Sequence, residues 1–205
     1  MATEGAPKSA FEALILAAGA GSRFGGGKLM ASWRGGIAMD GALAAAFAAP
    51  VSRVTVVWGA DQRVPEAARS WAQAHGETNR LGLLHAKAYA EGLSASLKAG
   101  LSALQPDCPG VFVFLGDMPC IPPSVLKPLA DSVVAGAPAA APAFEGRRGH
   151  PVLLGRALFA DLSGLEGDRG AGRLLDRLGA AVASVPAPDD GVLYDVDRPG
   201  DLADR

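Results

Sequence analysis

Long apolar runs, cysteine pairs and a surplus of either charge are all missing from this 205-residue chain, and no export-type leader is expected. No stretch reaches the roughly 18 consecutive apolar residues of a membrane-spanning helix. The first ten residues carry Glu4, Pro7 and Lys8 where a secretory signal would need an apolar core, so no membrane association is expected. Cys108 and Cys120, with eleven residues between them, belong to no CxxC or Cys/His pattern. That excludes a disulfide framework and a zinc finger, and makes a reducing cytoplasm the expected location. A formal net charge of -2 leaves no basic field to neutralise a run of phosphates, so a nucleic-acid partner is not expected. A small anionic ligand stays open.

Small residues are what the chain has in excess: 41 alanines, 27 glycines and 15 prolines. Disorder is excluded because 24 Leu, 15 Val, 7 Phe and 3 Ile exceed the roughly 20% share below which a chain cannot build a core. The glycines and prolines instead punctuate short apolar segments. Residues 11–16 (FEALIL), 53–58 (RVTVVW), 81–85 and 111–115 (VFVFL) read as buried strands. Between them, residues 40–49, 65–75 and 93–104 have helical spacing, with Asp40 placed to cap the first. In the second half, 139–144, 151–154 and 181–185 read as strands, and 157–161, 171–178 and 199–204 as short helices. Residues 145–149 and 186–191 read as loops. Wholly apolar strands alternating with helices of about ten residues predict an α/β three-layer, Rossmann-like fold with a mostly parallel central sheet. A single domain over residues 1–205 is expected, with residues 1–10 as a flexible N-terminus.

In such sheets ligands bind at the carboxyl ends of the strands. The first strand runs into Leu16-Ala17-Ala18-Gly19-Ala20-Gly21-Ser22-Arg23-Phe24-Gly25-Gly26-Gly27-Lys28, where five glycines let backbone N–H groups converge on an anion and Arg23 and Lys28 add fixed positive charge. A phosphate-rich ligand follows from that composition. The spacing is not Walker A, because Ser22 stands five residues before Gly27 and Leu29 follows Lys28. Nor is it GxGxxG, because Phe24 occupies the third glycine's place. A flexible glycine-rich turn without ligand is the structural alternative.

The strand at 111–115 ends in Gly116-Asp117-Met118-Pro119. A carboxylate at the end of so apolar a strand needs a cation or donors to offset its desolvation. Mg²⁺ suits it, since that ion takes one or two carboxylates and completes its shell with substrate phosphates and water. A turn or helix-capping role is the alternative for Asp117, as is helix capping for Ser94 and Ser96. Toward the C-terminus, Asp195 and Asp197 alternate along a presumed strand and could complete a metal site with Asp117 or stand as solvated edge charges. Asp201 is placed to cap a final helix. Cys120 reads as a core residue or a contact for a sulfur-rich ligand.

The motif LAAGxGSRxGxxK, followed by EGLSASLKAGL at 91–101 and GDMP at 116–119, resembles the MobA-like NTP transferase family of molybdenum cofactor cytidylyl- and guanylyltransferases. Similarity extends through Gly149-His150-Pro151-Val152, through Gly167-Asp168-Arg169-Gly170-Ala171-Gly172-Arg173 with one residue displaced from the family's GDxGAR, and through Tyr194-Asp195-Val196-Asp197 near the end. It covers residues 14–202. The resemblance implies that Leu16, Ala17, Ala18, Gly19, Gly21 and Ser22 wrap the nucleotide, that Arg23 and Lys28 face its triphosphate, and that Ser94 and Ser96 lie near its base and sugar. It places Asp117, with Asp195 and Asp197, at an Mg²⁺ site, and His150 and Arg173 on the acceptor side. Ala18, within LAAG, points to CTP where LAGG accompanies GTP.

The function so implied is Mg²⁺-dependent transfer of CMP from CTP to molybdopterin with release of pyrophosphate, Lys28, Arg23 and Asp117 doing the catalytic work. A molybdoenzyme or its chaperone would then receive the product. Four alternatives stay open: a GTP-using guanylyltransferase, another phosphate-ester cytidylyltransferase, an NAD(P)H-dependent oxidoreductase resembling nicotine blue oxidoreductase, and a non-catalytic cofactor-delivery protein.

Overall fold

The computed structural model describes residues 10–164 and 171–202. In chain order the elements are β1 (Phe11–Ala17), β2 (Ser32–Trp33), β3 (Gly36–Ile37), α1 (Met39–Ala48), β4 (Val51–Trp58), α2 (Val64–Ala74), β5 (Leu81–His85) and α3 (Leu93–Ser102). There follow β6 (Gly110–Leu115), α4 (Leu126–Val134), β7 (Ala139–Phe144), β8 (Arg147–Arg148), β9 (Val152–Gly155), α5 (Phe159–Ser163), α6 (Gly172–Leu178) and β10 (Val182–Pro186). The main sheet runs β10-β7-β9-β6-β1-β4-β5, with β8 paired to β7. β6, β1, β4 and β5 are mutually parallel, as are β7 and β10, while β9 runs antiparallel to both its neighbours. The sheet is therefore mostly parallel and the expected three-layer α/β fold is found.

Alternation along the central strands divides the core. Ala13, Ile15, Phe112 and Phe114 pack with Leu43, Phe47, Val64 and Leu129 on the face covered by α1, α2 and α4. Leu14, Leu16, Val111 and Val113 pack with Leu97, Leu162, Leu174 and Leu175 on the face covered by α3, α5 and α6. β1 and β6 are buried on both faces, which is why β6 is an unbroken apolar run and β1 is one but for Glu12, a buried carboxylate whose Oε1 accepts the Gln105 N–H at 2.8 Å. The price of centrality falls on any single large-to-small change there: truncating Phe112, 0% exposed, costs about 3–5 kcal/mol.

Several local expectations need correction. α1 starts one residue early with Ala38 as its N-cap, and Asp40 does not cap it; its Oδ2 instead accepts the Ile37 N–H at 2.9 Å and ties the helix start to β3. Two hairpins replace expected loop or go unforeseen. Arg34 and Gly35 (φ 47° and 83°) turn β2 into β3, and Glu145 and Gly146 (φ 49° and 77°) turn β7 into β8 inside the segment read as a loop. Paired positive φ values make the tight turn that matches strand twist. α4 is not foreshadowed by the sequence reading, because Pro128 interrupts the pattern; the proline sits in the first turn, where no N–H bond is lost. Tyr194 to Asp197 joins no ladder, so Asp195 and Asp197 do not share a strand face as expected. Asp201 does cap the short helical turn Pro199–Leu202: its Oδ2 accepts the Asp197 and Arg198 N–H groups at 2.8 and 2.7 Å. Residues 1–9, expected to be flexible, 167–170 of the GDxGAR-like segment, and 203–204 of the expected last helix lie outside the described residues.

Candidate active site

The site grows out of one extra hydrogen bond. β1 and β6 are parallel neighbours in register from Glu12 opposite Val111 to Leu16 opposite Leu115. Beyond the ladder the Gly116 N–H still reaches the Leu16 carbonyl at 3.0 Å. Asp117 is thereby set beside the exit of β1, where the glycine loop begins. The loop folds back through two short helical turns, Ser22–Phe24 and Lys28–Met30, each entered through a glycine in the left-handed region, Gly21 and Gly27. Gly25 and Gly26 are left-handed too, so four of the five glycines adopt backbone that side chains disfavour.

This return brings Lys28 onto Asp117. Lys28 Nζ donates to Asp117 Oδ2 in a short ion pair and also reaches Asp197 Oδ1 at 3.4 Å. Arg23 pairs with the other oxygen of Asp197. The Lys28 and Asp117 side chains are 16% and 20% exposed, whereas Arg23 is 74% exposed, so the first pair is the one shielded from solvent. Burial pulls the Lys28 pKa down, but Asp117 and then Asp197 outweigh it and hold the pKa above its usual value. Lys28 is thus a permanent cation. The Asp195 carboxyl is held above the usual carboxylate range, first by desolvation and then by the negative charges of Asp117 and Asp197. Asp195 therefore feels the two neighbouring acids. Val196 N–H to the Asp117 carbonyl, 2.9 Å, is what brings their segment in.

Above this pair opens a cleft of about 560 Å³. Of the residues expected to bind nucleotide, Leu16, Ala17, Ala18, Gly19, Gly21, Ser22, Lys28 and Ser96 line it, together with Asp117. Arg23 and Ser94 do not. Ser94 and Ser96 are both buried and neither caps α3, whose N-cap is Gly92 without a side-chain bond; the capping alternative is withdrawn. Ser94 Oγ meets no hydrogen-bond partner among the described residues. The sequence reading missed Tyr89, Ala90 and Gly92 as cleft residues. Tyr89 leans on Gly59, where an added Cβ would come within 2.6 Å of the ring. One of only two tyrosines, standing three residues before a glycine, was the available signal.

A second cavity of about 220 Å³ shares Leu16, Leu93 and Leu115 with the cleft and continues between α3, β6 and α6. His150 lines it with Arg148, Gly172 and Leu175. Desolvation, the largest influence, pushes the His150 pKa down to about 4; Asp117 pulls it up and Arg148 pushes it down. The ring is accordingly neutral at pH 7. Arg173 does not join it: it is exposed on α6 and lines neither cavity. Arg148, ion-paired to Asp176, is the arginine that faces this space. Cys120 is of intermediate exposure and lines neither cavity.

The donor set fits a hard divalent ion. Asp117 and Asp197 present carboxylate oxygens around one cation beside a phosphate-type loop, and Mg²⁺ asks for one or two carboxylates with phosphate and water completing its shell. Among the described residues no group of three or more His, Cys, Asp or Glu side chains forms a closed protein cage for a metal. Among the same residues no helix is long and apolar enough to cross a membrane.

Fold and site together define an enzyme of the nucleotidyltransferase class. The MobA-like NTP transferase domain matches residues 13–182, and the chain belongs to that family. It is 30% identical over 148 residues to the molybdenum cofactor cytidylyltransferase of Escherichia coli K12, covering 72% of this chain and 71% of that one. Among solved structures it is similar to a homologue, from Mycobacterium sp. strain JC1, of Mycobacterium tuberculosis Rv0371c, at 28% identity and TM-score 0.77, over 94% and 93% of the two chains. The manganese complex of Rv0371c itself superposes with TM-score 0.74 at 21% identity, over 96% of this chain and 100% of the other.

Proposed function

We propose that this chain transfers CMP from CTP to the phosphate of molybdopterin, releasing pyrophosphate. The observation that carries the reading is the half-buried Lys28–Asp117 pair under a cleft walled by the glycine loop. The cytidylyltransferase named for the E. coli relative supports the substrate pair, and Ala18 in LAAG supports CTP.

In this reading a phosphate-monoester oxygen of the acceptor forms a bond to the α-phosphorus of CTP as the bond to the β-phosphate's bridging oxygen breaks. The electron pair leaves with pyrophosphate, and no protein nucleophile is required. Catalysis then rests on positioning and charge. Lys28 holds the β- and γ-phosphates and stabilises the charge that accumulates on the leaving group, while Arg23, outside the cleft lining, acts on it through its pair with Asp197. The glycines keep side chains away from the phosphates, and Ser96 with Tyr89 borders the nucleoside. His150, neutral in its cavity, borders the acceptor without adding charge. Asp117 with Asp197 would hold Mg²⁺, which would supply charge neutralisation to the phosphates; the manganese complex of the mycobacterial neighbour supports a divalent ion here.

The test is to incubate the purified chain with molybdenum cofactor, Mg²⁺ and CTP, GTP or ATP in turn and to measure pyrophosphate. CTP should give the fastest release. GTP exceeding CTP would move the base assignment, and no release with any nucleotide would overturn the reading.

A further inference from the structure

The loop that receives the phosphates is gripped from outside the cleft by a residue that neither the motifs nor the cleft include. Gly27 has φ +68°, and a Cβ built there would lie 2.4 Å from Arg63 Nη2 and 3.5 Å from its Cζ. The guanidinium therefore meets the backbone of the last loop glycine with its Nη2 end, immediately before Lys28. A side chain at position 27 would be strained at that φ and would displace the guanidinium.

Arg63 is 64% exposed, and an arginine so exposed would ordinarily sample many rotamers. Asp61, only 16% exposed, removes that freedom. Its Oδ1 accepts Arg63 Nε at 2.9 Å and its Oδ2 accepts Nη2 at 2.7 Å, a two-pronged pairing that lysine cannot imitate. Oδ1 also accepts the Arg63 backbone N–H at 3.0 Å. The same segment holds the other end of the loop, since Ala60 N–H donates to the Ala18 carbonyl at 3.1 Å. Residues 60–63 thus hold the loop at its entrance and its exit.

We propose that Arg63, locked by Asp61, is a positioning residue that pins Gly27 and so fixes the place of Lys28 in the cleft. Gly27 is the N-cap of the helical turn Lys28–Met30, so any displacement of Gly27 is passed directly to Lys28. The inference rests on the nucleotide reading for its functional consequence and on geometry alone for the pin.

Two measurements separate these. Hydrogen exchange at the amides of residues 25–28, without nucleotide, should be faster in Arg63→Ala, Arg63→Lys and Asp61→Ala than in the unaltered chain, with Tm unchanged. In the CTP assay the same variants should lower kcat/KM about tenfold, chiefly by raising KM for CTP, because a loosened loop must be ordered on binding. Arg63→Lys keeps the charge but not the fork, so its failure to rescue supports pinning; full rescue by lysine would overturn it. Unchanged exchange in Arg63→Ala would overturn it as well. Faster exchange in that variant, in a chain that turns over no nucleotide, would uphold the pin and sink the proposed reaction.

Discussion

The two cavities that meet along Leu16, Leu93 and Leu115 share an apolar wall and differ in the polar groups set against it. The larger adds backbone and charge: glycines with positive φ, the half-buried Lys28 and the carboxylate of Asp117 delivered just past the end of β6. The smaller is side-chain surface contributed by α3, β6, β9 and α6, with a neutral histidine at its edge. A site made of charge and backbone suits what nucleotides share, while a site made of apolar shape suits what one acceptor has and others lack. On the proposed reading, the difference separates the chemistry of nucleotidyl transfer from the choice of acceptor.

Breaking the charged half should cost most. Asp117→Ala is expected to lower kcat about 10³-fold or more and Lys28→Ala about 10²-fold, both read by pyrophosphate release, since Lys28 is the cation aimed at the transferring phosphates and Asp117 would hold the divalent ion that neutralises them. A comparable loss from a residue of the apolar cavity alone would erase the distinction. Gly21→Ala attacks the same half through the backbone: the residue would sit at φ +61° with its Cβ 3.2 Å from Lys28 Cγ. It should lower kcat/KM about tenfold at a stability cost of about 1 kcal/mol.

His150→Gln tests the other half. It should raise KM for the acceptor about fivefold while leaving KM for CTP unchanged, because the ring borders only the second cavity. It should also remove a pH effect. With a folded pKa of about 4 against an ordinary 6.5, the unfolded chain takes up a proton that the folded chain refuses. Stability from this group is therefore intact above about pH 6.5 and is lost as pH falls toward 4, by up to about 3 kcal/mol. Denaturant midpoints at pH 7 and pH 4.5 measure it, and an unaltered difference between those midpoints in His150→Gln would refute the assignment. Smallest of all, Arg173→Ala should change acceptor KM less than twofold, the side chain being exposed on α6.

The same contrast explains what the sequence disclosed. Strands β1 and β6 announce themselves because both faces are buried, and the loop and Asp117 follow directly at their carboxyl ends, within a few residues of a legible element. The Asp117–Lys28–Asp197 contacts span up to 169 positions, yet each partner was already marked by residue type and motif. The second cavity was marked only in part: Gly149, His150 and Val152, and Ala171 and Gly172, belong to the two segments that the resemblance set on the acceptor side. The rest of its wall is leucines and a valine indistinguishable in sequence from any core, and Arg148 rather than Arg173 reaches it because the β7–β8 hairpin, built on an Arg-containing segment that reads as loop, points it there. Asp195 and Asp197 misled for a related reason: alternation suggested a strand, but no neighbouring strand is present to pair with them. Arg63 escaped because its partner is a glycine, and a contact with backbone leaves no pattern in side chains.

The most direct test of the central claim is label transfer. With CTP labelled at the α-phosphate, molybdopterin and Mg²⁺, the unaltered chain should move the label into a dinucleotide product and Asp117→Ala should move none; label transfer that persists in Asp117→Ala, or is absent from the unaltered chain, would contradict it.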